Sequence, residues 1–399
     1  MTEIGEIPEE WSLDILENEV EIMDSRRVPL SEVEREQRKG PFPYCGANGI
    51  IDYVDDYIFD EEAILLAEDG GSYGKFQNSA YLMDGKYWVN NHAHIIKGKR
   101  GIVNNKYILY WLNYSDINKY ISGSTRAKLN QERLKSIPIP RVPLPEQQKI
   151  AEILSTADDE IRKVDKQIAL TEQFKKGLMQ KLLTRGIGHT KFKMTEIGEI
   201  PEEWSVMTIR DCSAPTGNIN PASTFGKDEF YYVDVSGISS EKLAITETKR
   251  IRGIDSPSRA RKLIKKDDVI FATIRPYLKR VAIVPENLDG NICSTAFCVI
   301  RANRNIILPS FLYYYAILDN FVNRVSGFQT GSAYPAVSDD QILSELIAIP
   351  KLHEQDKVSE ILSTVDNKLE LLGNKREKLD ALKKGLMNDL LTGKVRVKV

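Results

Sequence analysis

Apolar residues recur in alternating steps of three and four along one stretch of the chain, and that stretch occurs twice. Between Pro145 and Thr184 the series is Ile150, Leu154, Ala157, Ile161, Val164, Ile168, Thr171, Lys175, Leu178 and Leu182. Between Glu354 and Thr392 it is Val358, Leu362, Val365, Leu369, Leu372, Arg376, Leu379, Lys383, Leu386 and Leu390. The two stretches align without a gap at a constant offset of 208 residues, Glu152 on Glu360 and Leu178 on Leu386. A mean spacing of 3.5 sustained over several heptads predicts a coiled-coil seam. At 1.5 Å per residue, about 40 helical residues reach about 60 Å. Lys175 and Lys383 interrupt the seam at the same position of the two copies, and Arg376 stands where the first copy has Ile168. Gly177 and Gly385 fall inside the helices, where glycine costs about 1 kcal/mol relative to alanine. Two explanations stay open for them: close approach of another chain or helix, and a kink or fraying end.

A second repeat lies at the start. MTEIGEIPEEW, residues 1–11, recurs letter for letter at 194–204. This offset is 193, so the second copy carries a net 15 extra residues (208 − 193) between leader and helix. Each half is thus a leader, a variable body and a long helix. The segments are 1–144 (first body), 145–193 (first helix and linker), 194–352 (second body) and 353–399 (second helix and tail). Gly5 and Pro8, with Gly198 and Pro201, make the leader extended, and Trp11 and Trp204 are expected to anchor it in the body. Two antiparallel helices sharing one seam would place the halves about a pseudo-two-fold axis. Each leader would then pack where the other half's helix ends, bringing the C-terminal TGKVRVKV near the N-terminus.

The bodies read differently from the helices. In 12–144 the runs IIDYVDDYIF, EAILLA and YLMDGKYWVNNHAHIIK are strand-like, and Asp69-Gly70 and Asp84-Gly85 mark hairpin turns. NKYILYWLNYSDINKYI reads as a short aromatic helix. In the second body, GSAYPAVS (331–338) lies under GSTRAKLN (123–130), and Ala296 is set on Ala93, an offset of 203. The remaining loops diverge. The predicted fold class is α+β: two similar mixed α/β bodies with strand-rich cores, separated by two long antiparallel helices.

Composition sets limits. With 399 residues, 42% hydrophobic and 28% charged, the chain suits two or more domains. No apolar run approaches the ~18 residues of a membrane span, and the acidic start lacks the apolar core of a signal peptide. Cys45, Cys212, Cys293 and Cys298 form no CxxC pair, which fits a reducing cytoplasm. No metal site is expected: His92 and His94 flank Ala93 on one strand face, but without a partner ligand at suitable spacing. Catalytic signatures are absent. GGSYGK (70–75) has the wrong spacing for a phosphate loop and reads as a turn. There is no GxGxxG and no Asn-Pro-Pro-Tyr-like motif, and Glu247-Thr248-Lys249 is too common a tripeptide to mark a nuclease.

The formal net charge of −2 means that any nucleic-acid surface must come from local patches. Such patches exist. The second body carries Arg250, Arg252, Arg259, Arg261 and Lys262, then Arg275, Tyr277, Lys279 and Arg280. The first carries Arg26, Arg27, Lys75, Gln77, Asn78, Asn90, Asn91 and His92. The loop before each helix adds Ser124, Arg126 and Lys128, and Ser332, Tyr334 and Ser338. Lysine and arginine bind phosphates, whereas Asn, Gln and Arg read base edges.

Both halves carry L-x-EQ-x-x-[IV]-x-x-IL at the helix start and KKGLM…LLT at its end, behind a G-E-I-P-E-E-W leader. In this organisation the whole chain resembles the specificity subunit of Type I restriction-modification systems. The resemblance implies two target recognition domains, each reading one half of a split double-stranded DNA site, with the paired helices fixing the gap. It implies a non-catalytic chain that recruits two methyltransferase (modification) subunits and the restriction subunits. Adenine methylation and ATP-dependent cleavage belong to the complex. S-adenosylmethionine, ATP and Mg are expected on the partners, and no cofactor on this chain. Base-contacting residues are not a family motif, so none is transferred. Asp158, Asp159, Arg162, Lys166, Asn367 and Lys368 are candidates for partner contact, and DNA binding is expected to depend on partners. Three alternatives are a coiled-coil scaffold with two protein-interaction domains, a chain fused to a methyltransferase, and a DNA mimic. The missing motifs argue against the second and the near-neutral charge against the third.

Overall fold

The computed structural model describes residues 6–123, 127–330 and 335–398. It comprises two compact units: one runs to Gln167 and resumes at Leu372, the other is Ile168–Leu371. The boundaries fall inside the long helices, Leu144–Arg185 and Leu352–Leu391, because each body is completed by the end of the other half's helix.

In the first unit Ile150, Leu154, Ala157, Ile161 and Val164 are buried, and Met387, Leu390 and Leu391 join the body's core. The helix segments run antiparallel: Asp158 pairs with Lys383 at 2.5 Å and Asp165 with Arg376 at 3.1 Å. In the second unit Met179, Leu182 and Leu183 pack with Val358 and Leu362 in one cluster, and Thr171 and Val365 are buried. Gly186 (φ +63) and Gly393 (φ +70) end the helices in the left-handed conformation that only glycine adopts without strain. The leader's second copy forms a hairpin, Phe192–Thr195 on Gly198–Pro201, rather than a single extended segment.

The two bodies share one topology. In the first, Val20–Ile22, Ala93–Gly98, Ala63–Ala67 and Ala80–Met83 form one sheet in that order. Gly49–Val54, Lys39–Gly46, Lys86–Val89 and Phe59–Asp60 form the other. The second body repeats the first sheet with Ser213–Ala214, Phe297–Ala302, Val269–Ala272 and Val281–Ile283. It repeats the other with Lys249–Arg252, Glu229–Val233, Ile292–Ser294 and Ala260–Leu263. Among the described strands the one parallel pairing of each body recurs too, Tyr44 on Trp88 and Tyr232 on Ile292.

Strand Ala63–Ala67 is buried throughout because it lies between two layers. Ile64 and Leu66 face the aromatic helix Asn105–Tyr114, and Ala63 and Leu65 face the second sheet. Val269–Ala272 alternates in the same way. Strand pairing sets the correspondence between bodies. Leu66 lies opposite His94 and Phe271 opposite Cys298, so Ala93 matches Phe297 at an offset of 204. This corrects the alignment of Ala93 with Ala296, and a one-residue shift reverses which face each side chain takes. Neither Asp-Gly turn closes a two-residue hairpin. Asp69-Gly70 opens a long connection between paired strands, and Asp84-Gly85 carries the chain from one sheet to the other. The hairpin Ile238–Ser239 on Ala244–Ile245 belongs to the longer second body.

Candidate nucleic-acid interface

The repeated Glu-Gln pair at each helix start is a clasp. Glu146 accepts from the Trp11 indole at 3.2 Å and from Arg396 at 2.7 and 2.9 Å. Glu354 accepts from the Trp204 indole at 3.1 Å and the Ile187 amide at 3.0 Å, with His189 Nε2 at 2.8 Å. Gln147 donates to the carbonyls of Val142 (2.7 Å) and Ile102 (3.2 Å) and accepts from the Asn104 amide (2.8 Å). Gln355 repeats this with Pro350 (2.9 Å), Ile306 (2.8 Å) and Leu308 (2.8 Å). Leader, body and helix therefore meet at two adjacent side chains, with the carboxylate at the helix N-terminus, where the dipole favours it.

The loop before each helix is docked on the end of the central strand. Lys128 bridges Ser122 and Asp69, and Ala336 bridges Thr330 and Ile274. The Leu129 amide donates to the Glu68 carbonyl at 2.7 Å, and the Val337 amide to the Thr273 carbonyl at 2.9 Å. Around this end of the first body a shallow pocket of about 320 Å³ is lined by Gly46, Asn48, Asp69, Asn90 and His92. Asn48 donates to the Gly70 carbonyl at 3.0 Å, His92 Nδ1 lies 2.8 Å from Asp69, and buried Asn90 accepts from the His92 amide at 2.8 Å. At the matching end of the second body the Arg275 amide donates to the Pro335 carbonyl at 2.8 Å, and Tyr277 is half exposed. Non-glycine residues adopt positive φ in both segments: Phe76 at 63°, Arg275 and Lys279 at 50°. Each costs of order 1–3 kcal/mol and persists only where surrounding contacts enforce it.

The other candidates divide by how much internal bonding they carry. Lys75, Gln77, Asn78 and Asn91 are exposed. Arg26 pairs with Glu61 at 2.7 Å over the Phe59 ring, Arg250 with Glu229 at 2.8 Å, and Arg252 Nε with Asp255 at 2.7 Å. Arg259 lies 3.8 Å from Asp234, Arg261 donates to Asn220 at 2.9 Å, and Arg280 is half-buried. Lys262 is held by Asp339 and Lys279 by Asp319, and Ser338 caps the helix Asp339–Leu343. Ser124, Arg126, Ser332 and Tyr334 lie outside the described residues. On the helices, Asp158 is tied up by Tyr110 (2.7 Å) and Lys383, whereas Asp159, Arg162, Lys166, Asn367 and Lys368 are exposed.

One cluster escaped the sequence reading. His94 is buried, with Nδ1 2.6 Å from Asp24 and Nε2 2.7 Å from the Leu129 carbonyl. Both ring nitrogens thus lie within hydrogen-bond distance of an oxygen. Arg27 pairs with Glu68 at 2.6 Å and Lys128 with Glu68 at 2.9 Å. Burial pushes the Asp24 carboxyl up, but the bond and charge of His94, the Ile95 amide and Arg27 together bring it below 3.8. Burial likewise raises Glu68, and Arg27 and Lys128 bring it below 4.5. Ligand atoms of Asp24, Glu68 and His94 lie within 4.8 Å of one another, yet Arg27 and Lys128 already supply the positive charge that a metal would bring. His92 does not share the buried face, since it precedes strand Ala93–Gly98 and is half exposed. Burial raises all four thiols, Cys45 and Cys212 to about 12, which makes them inert.

A family model described as "Type I restriction modification DNA specificity domain" matches residues 8–172 and 201–381. The chain belongs to that family. Each specificity-domain match spans a body and most of its long helix, so the family's unit is the one repeated in the sequence. The MjaVIII specificity subunit of Methanocaldococcus jannaschii is 28% identical, covering 98% of this chain and 94% of the relative. A putative Type I restriction enzyme specificity subunit of Haemophilus influenzae, S.HindORF215P, is 27% identical over 92% and 88%. The crystal structure of a Type-I restriction-modification S subunit from M. genitalium aligns over 98% of both chains with TM-score 0.61 and 14% identity, a likeness of fold. No described helix is long and apolar enough to cross a membrane.

Proposed function

We propose that this chain reads a bipartite DNA site, one half per body, on behalf of a Type I restriction-modification complex. The observation that carries the reading is the repeated frame with unlike side chains at its working end. Topology, clasp and docked loop recur, whereas the strand end presents Asn48, Asp69 and His92 in one body and Arg275 and Tyr277 in the other. Such a frame presents different base-reading groups from the same position. Lysines and arginines of the basic segments would contact phosphates and set register. The long helices would fix the separation of the half-sites and offer exposed Asp159, Arg162, Lys166, Asn367 and Lys368 to partners. Those partners would be two modification subunits and the restriction subunits, in the cytoplasm. S-adenosylmethionine, ATP and Mg would be bound by them, and the chain itself would be non-catalytic.

Co-expression with a modification subunit tests this. The expected result is a complex of two modification subunits per chain that binds duplex DNA with an affinity falling steeply with salt, as phosphate contacts require. Failure to form a complex, together with salt-insensitive or absent DNA binding, would favour the protein-interaction scaffold.

A further inference from the structure

In the second unit the carboxylate of Asp319 is held by Lys279, from the segment after the central strand, and by Lys176 of the first long helix at 3.1 Å. At the matching position the first unit carries no acid. The offset of 204 that relates Tyr110 to Tyr314 sets Ser115 on Asp319, and the helical offset of 208 sets Lys384 on Lys176. Lys75, from the segment after the first body's central strand, takes the part of Lys279. Its Nζ lies 4.5 Å from the centre of the Tyr114 ring and 5.2 Å from that of Phe76. Among the described residues neither Lys75 nor Lys384 has a carboxylate within ion-pair distance. The Ser115 hydroxyl is buried and has no hydrogen-bond partner. Beside it opens a pocket of about 330 Å³, lined also by Lys75, Tyr114, Asp116 and Lys119. Asp116 is engaged by the Asn118 amide at 3.1 Å and side chain at 2.9 Å, and the Lys119 ammonium lies 5.1 Å from the centre of the Tyr120 ring.

We infer that this pocket takes a phosphate-type anion, which stands in the first unit where the second carries its own carboxylate. The Lys75 and Lys119 ammonium groups and the Ser115 hydroxyl, all at the pocket wall, supply donors that a phosphate's several acceptor oxygens satisfy. Exposed Gln77 and Asn78 follow Lys75 on the segment that starts at the candidate interface. A DNA backbone phosphate is therefore the expected source, and to that extent the inference rests on the proposed function. A free phosphate compound is the other source.

Ser115→Asp is the informative variant, because the second unit shows that the frame accepts an aspartate there paired with lysine. Lys75→Gln removes one donor instead. In the first arm, melting of the full chain is followed with inorganic pyrophosphate at constant ionic strength. Pyrophosphate should raise the wild-type melting temperature and leave Ser115→Asp unmoved. In the second arm, DNA affinity of the complex with its modification subunits is measured against salt. Each variant should lower the slope by about one, the share of a single phosphate. Stabilisation by pyrophosphate with an unchanged slope assigns the site to a free phosphate compound. Indifference to pyrophosphate with an unchanged slope overturns the inference and leaves the proposed function standing. Loss of DNA binding by the wild-type complex overturns that function, and the pyrophosphate arm still decides the pocket.

Discussion

Lys383 donates to Asp158 across the helix pair at 2.5 Å, and Lys175 repeats the contact on Asp366 at the same distance. Each aspartate also accepts from a tyrosine of the adjoining body at 2.7 Å, Tyr110 in one unit and Tyr314 in the other. The lysines that interrupt the apolar seam are therefore the groups that tie helix, partner helix and body together. A charge inside a seam specifies register at some cost in stability. Replacing Lys383 by methionine should destabilise the first unit by about 1 kcal/mol, since the pair is only partly shielded from solvent. A double-mutant cycle with Asp158→Asn should give a coupling of about 0.5–1 kcal/mol, and denaturant unfolding checks it.

The glutamine clasp carries more. Gln147 and Gln355 are buried, and each makes three backbone hydrogen bonds. Replacing either by leucine strands two carbonyls and an amide, at a cost of about 2–4 kcal/mol. Hydrogen exchange should show the loss in the unit that holds the mutated residue, with little change in the other.

Gly186 and Gly393 end their helices at positive φ. A Cβ on Gly186 would meet the Trp204 ring at 2.6 Å as well as Glu354, and one on Gly393 would meet Pro8 and Trp11. Gly186→Ala should therefore cost about 2 kcal/mol or more, from strain and crowding together. Thermal melting, with near-ultraviolet dichroism following Trp204, would register it.

Acid should act on the first unit through Asp24 and Glu68. Both carboxyls lie below their ordinary values of 3.8 and 4.5 in the fold. A lowered folded value means that the stabilisation is complete above the ordinary range and is lost as pH falls through the lower folded values. Asp24→Asn should flatten the acid limb of the first unit's stability profile while the second unit's limb stays unchanged. Hydrogen exchange between pH 5 and about 2.5 would resolve the two.

The helices were legible because their signal is local. A seam from Ile150 to Leu182 needs no knowledge of what it packs on, and the 208-residue offset links the copies without a gap. The shared topology of the bodies was not legible, because it rests on pairings between distant residues such as Leu66 with His94 and Phe271 with Cys298. The same reason hid the His94 cluster, whose partners Asp24, Glu68 and Leu129 come from three separate segments. Basic composition was a coarse guide to the interface. It singled out exposed Lys75 and Gln77 but equally Arg27 and Lys262, whose charges are spent inside the fold. The Glu-Gln motif stood out in the sequence, but its role as a clasp needed the positions of Trp11, Ile102 and Asn104.

The central claim is that each body reads one half of a split site. The direct test is to sequence methylated bases in DNA from cells expressing this chain with its modification subunits, then repeat it with residues 12–144 replaced by those of a relative. The account predicts a two-part methylated motif of which the exchange alters one half only, leaving the other half and the spacing between them unchanged. A continuous motif, or an exchange that alters both halves or neither, would contradict it.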